Sequence, residues 1–199
     1  MLIMRTRGFT LLEMMVGVLI VSLLLAVGIP SFSGWIQNVQ SRSAAEAILN
    51  GMQVARTEAV RRNMPVRFNL TDADGKIAFV ISCVRITATC PNTPLQERNA
   101  AEGGGNARVG ISNDATPDPT PVGYYGTAIA AGTELPAGVT FDGLGRTLVA
   151  NAGKDITRVD ISNAKDPTAR RYVIKVGTGG EVRMCDPALA FSANPQGCS

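Results

Sequence analysis

From Met14 to Ile29 the chain carries no charged residue, and the one acid ahead of that run, Glu13, stands four residues after Phe9. A helix over Phe9–Ile29 would be roughly 31 Å long at about 1.5 Å per residue, enough to cross the hydrocarbon core of a bilayer. Glu13 is the costly residue in that reading. A carboxylate at the edge of an apolar span costs roughly 2.5–3.5 kcal/mol on insertion scales unless something neutralises it. The segment therefore asks for a cation. Arg5 and Arg7 precede it, and basic residues before a span favour a cytoplasmic N-terminus, which puts everything after Pro30 outside the inner membrane. An ordinary signal peptide fits poorly, because the apolar stretch is too long and a charged residue stands at its front.

The run Gly8-Phe9-Thr10-Leu11-Leu12-Glu13 resembles the signal and N-terminal helix of type IV prepilins and of type II secretion pseudopilins. The resemblance implies a prepilin peptidase that cuts between Gly8 and Phe9 and methylates the new Phe9 amine. It also implies that Glu13 pairs with the Phe9 amine of a neighbouring subunit during filament assembly. That pairing supplies the missing cation, since a buried acid is tolerated when a positive charge meets it.

With 199 residues the chain allows one domain plus an appended helix. The net charge is +3, and without Arg5 and Arg7 it has 17 basic against 16 acidic residues. Bulk charge thus gives no reason to expect nucleic acid as a partner. Cys83, Cys90, Cys185 and Cys198 allow three pairings. The local ones, Cys83–Cys90 and Cys185–Cys198, each close a short loop and suit the periplasm or a cell surface. The chain has no histidine, which removes Ser-His-Asp and Cys-His nucleophiles, His-ligated zinc and the side chain best suited to acid–base work near neutral pH.

Beyond the span, Gly28 and Pro30 predict a kink, because proline lacks an N–H and crowds the preceding turn. From Ser41 to Arg62, Ala44, Ala47, Ile48, Gly51, Met52, Ala55 and Ala59 recur at helix spacing. This half is one-faced and needs a sheet to cover it; Ala44, Ala47, Gly51 and Ala55 would let that sheet come close. The expected parts are a leader at 1–8, a helix at 9–62 (apolar over 9–29, amphipathic over 41–62) and a β-rich head at 63–199.

In the head, Val66, Phe68 and Leu70 alternate with polar residues, and a turn at Asp72-Ala73-Asp74-Gly75 leads to Ile77, Phe79, Ile81 and Cys83. Further strands are predicted at 139–141, 147–150, 156–161, 171–176 and 181–185, the last two joined through Gly177-Thr178-Gly179-Gly180. Between Pro91 and Gly138, prolines and glycines break any period. The spacing predicts an irregular insertion with at most short strands near 108–111 and 124–129. The fold class expected is α+β, the type IV pilin fold: a long kinked helix on an antiparallel head.

No catalytic constellation stands out, and no cofactor or metal is expected. Asp72-Ala73-Asp74-Gly75 lacks the further acids of a calcium loop. The stretches Phe141–Arg146 and Gly179–Pro187 are similar to the late strands of the GspH/FimT group of minor pilins and pseudopilins. Cys185-Asp186-Pro187 and the closing Asn194–Cys198 look most like FimU-type minor pilins. Some members of the group bind DNA through a Gly-Arg-x-Arg motif. Here that motif reads Gly180-Glu181-Val182-Arg183, with an acid that repels phosphate at the first arginine. Arg146, Arg171 and Arg183, with Arg170 and Lys175, are the candidate DNA contacts.

The resemblance thus implies a minor type IV pilin of a priming or tip complex. Its expected partners are other minor and major pilins, prepilin peptidase and the inner-membrane assembly platform. It would sit in the inner membrane by a single pass, head in the periplasm, before entering a pilus or pseudopilus. A type II secretion pseudopilin and a DNA-uptake pilin are the alternatives.

Overall fold

The computed structural model describes residues 8–26, 32–102, 104–114 and 123–198, and carries the helix backbone through 27–31. The leader to Arg7 and the kink positions Gly28 and Pro30 lie outside the described residues. The chain divides into two compact units, Met1–Ile36 and Gln37–Ser199, and helix α1, Leu11–Arg62, contributes to both.

In the first unit the large apolar side chains from Phe9 to Leu25 are exposed. Among the described residues no helix is long and apolar enough to cross a membrane; the described side chains of the apolar run end at Ala26.

In the second unit α1 turns one stripe inward: Ala44, Ala45, Ile48, Met52, Ala55 and Ala59 are buried. Ala45 takes the place expected of Ala47, which sits half-buried on the flank; the step from 45 to 48, 52, 55 and 59 is the three–four spacing of a single face. Gly51 is the point of closest approach. A methyl group there would stand 2.8 Å from the Phe68 ring and 3.0 Å from Phe79, whose two rings are themselves 5.0 Å apart. A side chain at residue 51 would force those rings away.

The strands are β1 (Val66–Leu70), β2 (Phe79–Cys83), β3 (Gln96–Arg98), β4 (Ala107–Ser112), β5 (Ala137–Phe141), β6 (Arg158–Asn163), β7 (Tyr172–Val176) and β8 (Val182–Cys185). They form two antiparallel four-stranded sheets, β3-β2-β1-β5 and β4-β6-β7-β8. The α+β class holds, with two sheets sharing the helix-facing core. In β1, Val66, Phe68 and Leu70 point inward and alternate with half-exposed Arg67 and Asn69, as the sequence pattern predicts.

Three expectations are corrected. Residues 147–150 do not form a strand: a single bridge joins Phe141 and Thr147, and a 3₁₀ turn follows at Val149–Asn151. The segment's backbone is met by Thr140 and by its own turn, with the Leu148 N–H donating to Thr140 O at 2.9 Å and the Asn151 N–H to Leu148 O at 2.9 Å. The insertion holds β4, as expected near 108–111, and also β3, which the pattern does not predict. β4's outer edge bonds to loop backbone, with Val109 N–H donating to Gly75 O at 2.8 Å and Gly132 N–H to Val109 O at 2.9 Å. Finally, residues 124–129 form no strand: 124–126 are turn, 127 is a bend and 128–129 are irregular.

Those turns are held on the outer face of the second sheet by charge. Arg158 donates to Asp160 at 2.8 and 2.9 Å, to Tyr124 O at 2.8 Å and to Thr127 O at 2.7 Å. Arg171 donates to the same carboxylate and to Tyr125 O and Gly126 O at 2.5 and 2.8 Å. The Ile129 N–H completes the set at 3.0 Å. Asp160 is fully buried, and this clamp explains why β6 is buried on both faces.

Removing one partner of a buried ion pair costs about 3–5 kcal/mol, because the other charge is left unpaired. Asp160→Ala is therefore expected to lower the unfolding free energy by about that much, read as a lower denaturant midpoint at an unchanged slope. It should also speed amide exchange in residues 123–130. An unchanged midpoint contradicts the clamp.

Candidate functional site

Gly8, Phe9 and Thr10 precede the first turn of α1. Thr10 is its N-cap: the hydroxyl oxygen accepts the Glu13 N–H at 3.2 Å, and its carbonyl accepts the Met14 N–H at 3.2 Å. Thr10 and Glu13 thus have the spacing of a capping box, a signal present in the sequence but not used there. The cap ends the helix on its N-terminal side, so the Gly8–Phe9 bond lies outside the helix. Phe9 is 77% exposed, and nothing lies within 4 Å of where a Gly8 side chain would be.

Phe9, Glu13 and Gly17 succeed one another at four-residue steps and, with Met14, Val18 and Val21, line one shallow depression on the helix. Gly17 leaves the turn above Glu13 bare. Glu13 is exposed, and among the described residues no ion pair involves it. A carboxylate in the first turn is favoured by the helix dipole. Along α1 the first basic residue after Glu13 is Arg42, far down the helix.

In the head, both local disulfides form: Cys83–Cys90 closes a loop after β2, and Cys185–Cys198 ties the C-terminal loop to β8. Tyr125, Val173, Cys185 and Cys198 make a second small core on the outer face of the second sheet.

The structure sets Lys175 opposite Arg183 on β7 and β8, and turns the other candidate DNA contacts to local partners. Arg146 is bound to Asp142 at 3.0 and 3.2 Å within its own turn. Arg171 is spent in the Asp160 clamp. Arg183 donates to Pro195 O at 2.5 Å and Gly197 O at 3.2 Å and lies over the Phe191 ring at 4.5 Å. Arg170 pairs with Asp186 at 2.6 Å. These cations organise loops, which sequence reading could not separate from solvated charge. Asp72 also serves its turn, accepting the Asp74 and Lys76 N–H groups at 3.0 and 3.1 Å. Among the described residues no cluster could hold a metal ion.

The family model described as "Type II transport protein GspH" matches residues 44–180, and that of the "Prokaryotic N-terminal methylation motif" matches residues 3–29. No curated protein gives a significant match. Among solved structures, the chain is similar to the type IV minor pilin FimU of Pseudomonas aeruginosa (strain PAO1) in two crystal forms. In space group P21 the identity is 19%, with 83% of this chain and 99% of that chain covered and a TM-score of 0.49. In P65 the identity is 20%, the coverage 79% and 99%, and the TM-score 0.44. With the first of these models running from the inner stripe of α1 to the β7–β8 turn, over more than half of the sequence, the chain belongs to the GspH family of minor pilins and pseudopilins, structural subunits and not enzymes.

Proposed function

We propose that this subunit is a minor type IV pilin that joins a priming or tip complex and helps to start pilus assembly. The observation that carries the reading is the arrangement at the front of α1. An exposed, non-helical Gly8–Phe9 bond precedes a Thr10-capped helix, with Glu13 one turn further on and no cation of its own. Prepilin peptidase would cut between Gly8 and Phe9 and methylate the Phe9 amine. The apolar helix would hold the subunit in the inner membrane by a single pass, head in the periplasm, until the assembly platform lifts it. Glu13 would then meet the Phe9 amine of a neighbouring pilin, a pairing that turns a desolvation cost into a register signal. The kink at Gly28 and Pro30 would let the two halves of the helix follow different surroundings.

A type II secretion pseudopilin is the second reading, favoured by the description of the matching family; it uses the same front end in a different machine. A DNA-uptake role draws no support from arginines already bound within their own loops.

Glu13→Val is expected to leave the protein processed and membrane-held while reducing its recovery in sheared filaments about tenfold or more. Equal recovery of variant and parent contradicts the pairing. For Gly8→Ser, mass spectrometry should find the uncut leader, and a mature chain beginning at Phe9 in that variant would sink the cleavage assignment.

A further inference from the structure

Phe32 and Trp35 stand one turn apart on α1, each 59% exposed, with their ring centroids 5.5 Å apart and the planes tilted by 31°. Side chains three residues apart on a helix share a face, so the two rings make one aromatic patch turned to solvent. Neither the exposed span before them nor the inward stripe that begins at Ala44 accounts for it. Large rings held together in the open need a covering surface.

Their place along the helix says what covers them. At about 1.5 Å per residue, Trp35 comes roughly 33 Å after Glu13 and roughly 39 Å after Phe9. The hydrocarbon core of a bilayer is about 30 Å thick, and about 40–45 Å with both headgroup layers. A usual tilt of about 20° shortens the helical rise by less than a tenth. With the front of the helix at one face of the bilayer, Trp35 emerges just past the hydrocarbon at the other, and Phe32 lies about 4.5 Å deeper. The composition changes at the same point. Ser31, Ser33, Gln37 and Asn38 follow the apolar run, yet no charge appears between Glu13 and Arg42. Such a stretch is too polar for hydrocarbon and suits the headgroup layer, where tryptophan gathers because its body is apolar and its N–H polar.

We propose that Phe32 and Trp35 are an interfacial anchor, seated in the lipid headgroup layer on the side of the head and fixing how far the helix sinks into the bilayer before assembly. The Trp35 indole N–H donates to lipid carbonyl or phosphate oxygens, while the ring faces cover the first acyl carbons. An anchor of this kind meets a thicker or thinner bilayer by helix tilt and keeps the rings with the headgroups. It also places Glu13. With the rings held at the far interface, the helix length leaves that carboxylate near the opposite one, where water reaches it and its insertion cost falls. A second copy is a poor cover within the bilayer, because helices associate there through small residues that let backbones approach, and two stacked rings hold a neighbour off. The proposal rests on the reading of the apolar helix as membrane-held, and its test separates the two.

Trp35 is the single tryptophan of the chain, so its fluorescence reads this one place. The intact protein is reconstituted at high dilution into vesicles of phosphatidylethanolamine and phosphatidylglycerol, part of the lipid carrying bromine near the headgroup, at mid-chain or at the chain end. Near-headgroup bromine is expected to quench Trp35 about threefold more than chain-end bromine. Phe32→Trp in a Trp35→Phe background should report a position one turn deeper that still favours near-headgroup bromine. Leu19→Trp in the same background should show the reverse order, as the centre of the span. The Trp35 profile should stay the same in vesicles of shorter and of longer acyl chains. Trp35 emission that no bromine quenches, strongest quenching of either ring position from the chain end, or a profile that moves with bilayer thickness overturns the anchor. So does shielding that grows with the protein-to-lipid ratio, which marks a second copy as the cover. A Leu19→Trp probe that bromine at no depth quenches refutes the membrane-held reading instead.

Discussion

The contact on which the head depends is the approach of α1 to the Phe68 and Phe79 rings at Gly51. Interiors are packed to crystal-like density, so a helix can come this close to a sheet only where its side chains are small. Ala44, Ala45, Ala55 and Ala59 continue that stripe, and Ile48 and Met52 are buried with them in the same core. Burial of such side chains is worth roughly 25 cal/mol per Å² of apolar surface, the main favourable term in a domain of this size. The same helix begins with a surface of the opposite kind, on which the large apolar side chains from Phe9 to Leu25 are exposed. One half finds its partner within the chain. The other leaves its large apolar side chains exposed.

The second sheet follows a different logic. Its inner face joins the core, while its outer face carries Arg158, Asp160, Lys175 and Arg183 under the 123–130 segment and the C-terminal disulfide loop. Buried ion pairs are a poor source of net stability but a good source of specificity, because every alternative arrangement leaves a charge unmet. Asp160 meets two guanidiniums, and these in turn hold four carbonyls of an irregular segment. The result is a shaped outer surface made from residues that have no helix or strand to define them, which is where a filament subunit would distinguish one neighbour from another.

Much of this was legible in the sequence, for identifiable reasons. The three–four spacing of α1 and the alternation in β1, β7 and β8 are local signals, and the local disulfides follow from short loops. The split into two sheets was not legible, because a period of two tells which face is buried but not which strand lies alongside. β3 was missed since Gln96-Glu97-Arg98 carries no strand signature; it is recruited by its register with β2. The 124–129 segment was mistaken for a strand, and Arg171 for a free surface cation, because their order comes from Asp160 more than thirty residues away from Tyr124. Thr10 was legible and overlooked, its role hidden behind the resemblance of the whole motif.

The filament role turns on where the mature chain begins. A Phe9 start would place a positive charge at the head of a helix whose only early acid, Glu13, has no cation among the described residues, so that the need of one subunit is met by the end of another. The direct measurement is the N-terminal peptide of the native protein, read by mass spectrometry. The account predicts a chain that starts at Phe9 with a methylated amine. A native chain that still starts at Met1, or that starts well past Pro30, contradicts it.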